Sequence, residues 1–157
     1  MNEPLRIYAD TSVFGGPFDP EFAQASSVFF DQVRLGRFKL VISAIVQAEV
    51  EPGPLEVRRL FEEIAGLAEI IEPTPEALDL RDAYLQAGIL GRRSADDAFH
   101  VALATVSRCA MIVSWNFQHI VHFRKIPLYN AVNALRGFST LAIYSPREVI
   151  EYEEKGL

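Results

Sequence analysis

Four acidic residues, Asp10, Glu49 and the adjacent Asp96 and Asp97, are the positions of this chain whose type and setting could do chemistry. Gathered carboxylates are the hard oxygen donors that magnesium prefers; one or two of them hold the ion while water and phosphate complete its octahedral shell. An ion held in this way activates water and stabilises the charge that develops as a phosphodiester is cut. Converging carboxylates repel one another without a cation. With one bound, the same pocket becomes attractive to a phosphate backbone.

Each acidic position also has a purely structural alternative. Asp10 directly follows the apolar run Leu5–Ala9, which reads as a buried strand. In open parallel sheets ligands bind beyond the carboxyl ends of strands, and the neighbouring Thr11 and Ser12 could hydrogen-bond a carboxylate or a metal-bound water; equally, Asp10 could cap a turn or the next helix. Glu49 lies between Ala48 and Val50 in a short helix with apolar flanks. A buried glutamate is unusual unless paired or cation-bound, whereas an outward one would simply face solvent beside Glu51. Asp96 and Asp97 fall in the first turn of a helix opened by Ser94, and Ser94 with Asp97 three residues on matches a capping box. Asp97 shares a helix face with His100 and Val101. His100 could orient a ligand or a phosphate, although a histidine on an apolar face is more often a hydrogen-bonded core residue.

The elements that must position these residues alternate between strand and helix. A loop is expected at Gly15, Gly16, Pro17 and Pro20, and an amphipathic helix over Glu21–Leu35, where Phe22, Ala25, Val28, Phe29 and Val33 recur at helical spacing. Leu40–Ile42 reads as a second buried strand, followed by a short helix over Ala44–Val50 that Pro52, Gly53 and Pro54 break. Another helix at about Leu55–Ile64 and a weak strand at Glu69–Ile71 come next. Thr74 and Pro75 signal a helix start and Gly88 its stop. Ser94 opens the helix carrying Ala98, Val101, Ala102 and Thr105. Met111–Val113 and Leu141–Tyr144 read as strands, and Pro146 starts a last helix with Val149 and Ile150. Alternation of this kind implies parallel pairing with helices on both faces, an α/β class.

The bulk properties agree with one globular domain over residues 1–157. Half the chain is hydrophobic, eleven residues are Phe and 23% are charged, so it is neither disordered nor fibrous. No stretch approaches the roughly 20 apolar residues of a membrane span, no signal peptide is expected from MNEPLRIYAD, and the lone Cys109 cannot form an internal disulfide. A cytoplasmic location is expected. The net charge of −6 argues against nucleic-acid binding through a basic surface alone, unless part of the negative charge is spent on cations.

Taken together, four segments resemble the PIN-domain family in their order. They are Asp10–Val13 after the first strand, the helix carrying Glu49, Ala95–Ala102 (ADDAFHVA), and Ile112–Phe117 (IVSWNF). The similarity is greatest to the VapC-like branch, the toxin ribonucleases of type II toxin–antitoxin systems, and it spans essentially the whole chain to Ser145–Ile150. The resemblance implies a three-layer α/β/α sandwich with a central parallel sheet and a metal-dependent endoribonuclease activity using Mg2+ or Mn2+. It implies Asp10, Glu49 and Asp97 as acidic metal ligands, with Asp96 tuning the site. It also implies an RNA substrate, a small antitoxin partner that inserts a segment near the acidic pocket, and a homodimer.

One departure from the family pattern concerns the fourth strand, where many PIN domains carry an aspartate. Here the stretch is Ser114-Trp115-Asn116, and Asn116 brings an oxygen but no charge; His119 stands where some relatives have an aspartate. At most one tightly held cation is therefore expected. Arg92, Arg93 and Arg108 flank the Asp97 helix and Arg124 and Lys125 follow the Trp115 segment; these could contact phosphates or be solvated ends. Trp115 could stack on a base or belong to the core. Two rivals stand beside this reading. An aspartyl phosphatase of the haloacid-dehalogenase kind would need Asp-x-Asp, which Ser12 breaks. A PIN-fold protein without efficient catalysis would serve as a binding or assembly module.

Overall fold

The hydrophobic runs form a five-stranded, all-parallel sheet in the order β3-β2-β1-β4-β5. The computed structural model describes residues 3–151, so the expected domain of 1–157 extends past the described residues at both ends. The strands are β1 (Leu5–Ala9), β2 (Phe38–Ser43), β3 (Glu69–Ile71), β4 (Met111–Val113) and β5 (Ala142–Tyr144). The helices are α1 (Thr11–Gly15), α2 (Ala23–Arg34), α3 (Ala44–Val50), α4 (Leu55–Ala65), α5 (Pro75–Gln86), α6 (Ala95–Val106), α7 (Ile126–Leu135) and α8 (Pro146–Val149). Helices flank the sheet, giving a three-layer α/β/α architecture. Strands buried on both faces must be apolar throughout. Ile7, Tyr8, Ala9, Leu40, Val41, Ile42, Ile112 and Val113 accordingly have no exposed surface. No helix among the described residues is long and apolar enough to cross a membrane.

The topology decides where a site can form. From β1 the chain moves one way to β2 and β3, then returns to β4 and β5 on the other side. The strand order therefore reverses between β1 and β4, and the crevice at the carboxyl ends of those two strands is the place where open α/β sheets take ligands. Asp10 follows β1 and Ser114 follows β4, and the two face each other across this switch point.

Three details differ from the sequence expectation. The segment read as a loop at Gly15–Pro20 is preceded by the one-turn helix α1, and Gly16–Phe18 winds as a 3-10 turn. Pro17 is compatible because the first turn of a helix has no use for its missing N–H. The Phe-rich helix starts at Ala23 rather than Glu21. Its Phe29 and Phe30 are buried, with Phe30 packed against Phe14 at 5.2 Å between centroids, so this face belongs to the core. A further helix, α7, has no counterpart in the sequence reading. It is anchored by a buried polar cluster in which Tyr84 Oη donates to Asn133 Oδ1 and Asn133 Nδ2 donates to Thr105 Oγ1 at 3.4 Å.

Gly16 fixes the loop that follows the site. A Cβ there would stand 2.0 Å from Ser26 Oγ and 2.8 Å from Trp115 Nε1, between two atoms that now share a 2.8 Å hydrogen bond. Forcing a methyl into that gap strains the packing and separates a buried donor from its acceptor, each a cost of about 1–3 kcal/mol. The Gly16→Ala protein should thus unfold at lower denaturant with an unchanged slope; an unchanged midpoint would show that α2 gives way freely.

Candidate active site

Asp10 is 3% exposed, yet it is not spent as a cap. It occupies the N-cap position of α1 without any side-chain capping bond. Its carboxylate instead accepts from Ser12 Oγ at 2.6 Å and from Ser114 Oγ at 2.7 Å. Both serines are themselves held: Trp115 N donates to Ser12 Oγ at 2.8 Å and Asn116 N donates to Ser114 Oγ at 2.9 Å. The backbone after β4 therefore orients two hydroxyls that orient one carboxylate. Burial pushes the Asp10 carboxyl above its ordinary range; the charge of His100 and the two serine hydroxyls draw it back, and the charge of Asp97 pushes it further up.

Asp97 lies in the first turn of α6 and is half-buried. The expected capping box with Ser94 does not form. Ser94 has φ −105° and ψ 22° rather than the extended backbone of a capping residue, and its side chain caps nothing. Its hydroxyl lies 3.1 Å from His119 Nε2 instead. Elsewhere the chain does cap its helices, with Ser43 Oγ accepting from Val46 N and Thr74 Oγ1 from Ala77 N. Among the described residues no hydrogen bond or ion pair engages the Asp97 carboxylate. Asp96 beside it is exposed.

Glu49 is engaged through one of its two carboxylate oxygens. Its side chain is 35% exposed and His100 Nε2 lies 2.6 Å from its Oε1; Thr11 Oγ1 donates to the same oxygen at 3.0 Å. His100 is 2% exposed and pairs through Nδ1 with Tyr8 Oη at 2.8 Å, which in turn sits 2.8 Å from Ser43 Oγ. Burial works against the imidazolium. The hydrogen bond to Glu49 and the charges of Asp10, Glu49 and Asp97 outweigh it, so His100 is raised above its ordinary value. For Glu49 burial opposes ionisation, but His100 and Thr11 prevail and lower it. His100 is thus the hydrogen-bonded core histidine that a helix face of this kind favours, and it doubles as the internal counter-charge to three carboxylates. Tyr8 and Ser43 were not singled out in the sequence. A lone tyrosine inside an apolar strand and a serine at a strand-to-helix junction were the available signals.

Asn116 does not point a free oxygen at the pocket: its Oδ1 accepts from His119 N at 2.9 Å. Trp115 is core, 6% exposed, stacked on Phe22 at 4.1 Å. Arg92 and Arg93 are exposed on the turn that leads into α6. Arg92 shares a groove beside the start of α6 with Arg81 and Lys125. Arg108 follows the other end of α6, roughly 16 Å from Asp97 at 1.5 Å per residue, so it does not flank the site. Arg124 lies over the Phe123 ring, 5.4 Å from its centroid, and Lys125 Nζ donates to Ile89 O at 2.6 Å.

Among the described residues no set of three or more His, Cys, Asp or Glu side chains is disposed to hold a metal ion. The donor chemistry nevertheless fits a hard divalent cation held by two groups, Asp10 and Asp97, because magnesium needs only one or two carboxylates. Glu49 gives one oxygen to His100 and Thr11, and its other oxygen meets no hydrogen-bond partner among the described residues.

Neither a protein-family model nor a curated protein matches the sequence significantly. Solved structures do match its fold. FitAcB from Neisseria gonorrhoeae is similar at a TM-score of 0.59 and 16% identity, over 89% of this chain and 97% of that one. VapBC2 from Rickettsia felis, bound to a DNA fragment from its promoter, matches at 0.56 and 15% identity, over 90% and 98%. FitAB bound to the IR36 DNA fragment matches at 0.57 and 15% identity, over 95% and 99%. At these identities the likeness establishes the fold.

Proposed function

We propose that this chain is a PIN-type, metal-dependent endoribonuclease, the VapC-like toxin of a toxin–antitoxin pair. The observation that carries this reading is a buried carboxylate, Asp10, held at the sheet's switch point by hydroxyls from both neighbouring strand ends, with Asp97 close enough for its charge to act on it and uncommitted among the described residues. Neither residue is explained by capping, and a charge buried at such expense is kept for function more readily than for stability.

Asp10 and Asp97 would hold Mg2+ or Mn2+, which when bound would supply charge stabilisation at the scissile phosphate and an activated water. Ser12 and Ser114 fix the orientation of the Asp10 carboxylate. His100 and Glu49 form a paired wall that balances the charge of the pocket. Arg81, Arg92 and Lys125 would contact the RNA backbone beside the start of α6. Replacing Arg92 with Ala should weaken RNA binding by a similar factor for all sequences and reduce the salt slope by about one; a sequence-dependent loss would mean that Arg92 reads bases. One cation per chain is expected in calorimetric titration with Mn2+, since Asn116 adds no charge and is tied to His119. Two equally tight sites would contradict the two-carboxylate assignment.

The partner is expected to be a small antitoxin. The similar structures carry the names of two-component assemblies, VapBC2 and FitAB, and two of them include DNA; co-purification of this chain with the product of an adjacent small gene would test the pairing. A homodimer is expected as well and is checked by light scattering. The second reading, a binding module without catalysis, draws on Asn116 and on the lack, among the described residues, of a three-carboxylate cluster. Comparing Asp97→Asn with Asp96→Asn separates the two. The nuclease reading requires metal-dependent RNA cleavage that the first substitution removes and the second largely spares; equal behaviour of both would refute the site.

A further inference from the structure

We propose that His119 is a positioning residue that keeps Asp97 available to the cation by holding Ser94 out of a capping box, an inference that rests on the nuclease reading above. Ser94 and Asp97 have the spacing of a reciprocal cap, in which the serine hydroxyl would accept from the Asp97 N–H and the Asp97 carboxylate from the Ser94 N–H. Such a box would turn the carboxylate back onto its own helix. It is not made: the Ser94 hydroxyl is engaged by His119 Nε2 at 3.1 Å, Ser94 N donates to Gly91 O at 2.9 Å, and the Ser94 backbone is not extended.

His119 itself is fixed by two main-chain contacts that do not involve its ring. Its N–H donates to Asn116 Oδ1 at 2.9 Å and its carbonyl accepts from Tyr129 Oη at 2.7 Å. The ring therefore reaches α6 from a loop whose shape is set independently. Asn116, occupying the place of an expected acid, serves here as the turn that aims this histidine. Apart from the contact with Ser94, hydrogen bonding offers no reason for an imidazole at the position. Ring Nδ1 is buried and meets no hydrogen-bond partner among the described residues, a condition that costs rather than contributes, and the lost cap of α6 is a second expense. Residues that hold a metal ligand in place through one intermediate are where such expenses are met, and their loss lowers metal affinity or activity about 10–100-fold.

The test compares wild type, His119→Leu, His119→Gln and the double variant His119→Leu/Ser94→Ala. Each is titrated with Mn2+ alone by calorimetry, melted in EDTA and assayed on RNA. Leu removes the hook, whereas the Gln amide can reach the Ser94 hydroxyl. The expected result is Mn2+ affinity and cleavage about 10–100-fold lower in His119→Leu, a melting temperature equal to or above wild type, wild-type-like behaviour in His119→Gln, and recovery in the double variant, which can no longer form the box. Wild-type Mn2+ affinity in His119→Leu overturns the inference and leaves the nuclease reading intact. A large fall in the melting temperature of His119→Leu overturns it too, because the histidine would then be structural. A wild-type protein that neither binds Mn2+ nor cuts RNA removes the reading and this inference together.

Discussion

The Asp10→Asn protein will melt at or above the wild-type temperature in EDTA while its RNA cleavage falls at least about a hundredfold, the scale of losing a preorganised electrostatic group at a reacting centre. The two halves of this result have one cause. Asp10 is 3% exposed and its carboxyl is pushed above the ordinary range, first by burial and also by the charge of Asp97. The folded state therefore binds a proton at Asp10 more tightly than the unfolded chain does. Its contribution to stability is complete at acid pH and is lost as pH rises through the raised value, above which a buried charge remains. An amide of the same shape carries no such charge. The Ser12 and Ser114 hydroxyls can rotate to meet its oxygen and its NH2, so the fold keeps its hydrogen bonds. Function loses the anionic ligand. A clear fall in stability with cleavage intact would mean that Asp10 is a structural acceptor and no more. Gain of stability with loss of activity is the pattern expected where a site is strained for its task.

Replacement of His100 by Ala should cost about 2–3 kcal/mol of unfolding free energy. Its ring fills a fully enclosed position between Tyr8 and Glu49, and its loss opens a cavity while leaving three carboxylates without their internal counter-charge. The figure is held below that of a wholly buried ion pair because the Glu49 side chain is 35% exposed and solvent screens it. The pH dependence has a definite sign. Glu49 is lowered from 4.5, so its contribution is present above that value and disappears as pH falls through the lowered one. His100 is raised from 6.5, so its contribution is complete below 6.5 and fades as pH rises through the raised value. The pair is thus most stabilising between pH 4.5 and 6.5. Denaturant midpoints measured in EDTA should differ most between wild type and His100→Ala in that window and differ less above it, where only the cavity remains as a cost. A difference that grows with pH would show that His100 is neutral in the native protein.

Much of this architecture is readable in the sequence because buried parallel strands are unbroken apolar runs, and β1, β2 and β4 announce themselves in that way. The α6 helix and its acidic first turn are equally plain, and so is the strand-end position of Asp10. What is not readable depends on residues far apart in the chain. The Ser94–Asp97 spacing is a capping box by local rules, but the serine hydroxyl is taken by His119, 25 residues later. The pairing of Glu49 with His100 spans 51 residues and engages one oxygen of a carboxylate that the sequence groups with Asp10 and Asp97. Helix α7 is hidden because Pro127 reads as a breaker although it falls in the first turn, and because its inward face carries Asn133, a polar residue whose side chain bonds Tyr84 and Thr105 from two other helices as well as Asn130.

The most direct measurement is cleavage of a mixed single-stranded RNA pool by the purified wild-type chain, in magnesium, in manganese and in EDTA, beside Asp97→Asn. Cutting that requires the metal and disappears in the variant is the predicted result. A folded wild-type protein that leaves the pool intact with either metal, or cutting that persists in EDTA or in Asp97→Asn, would contradict the account.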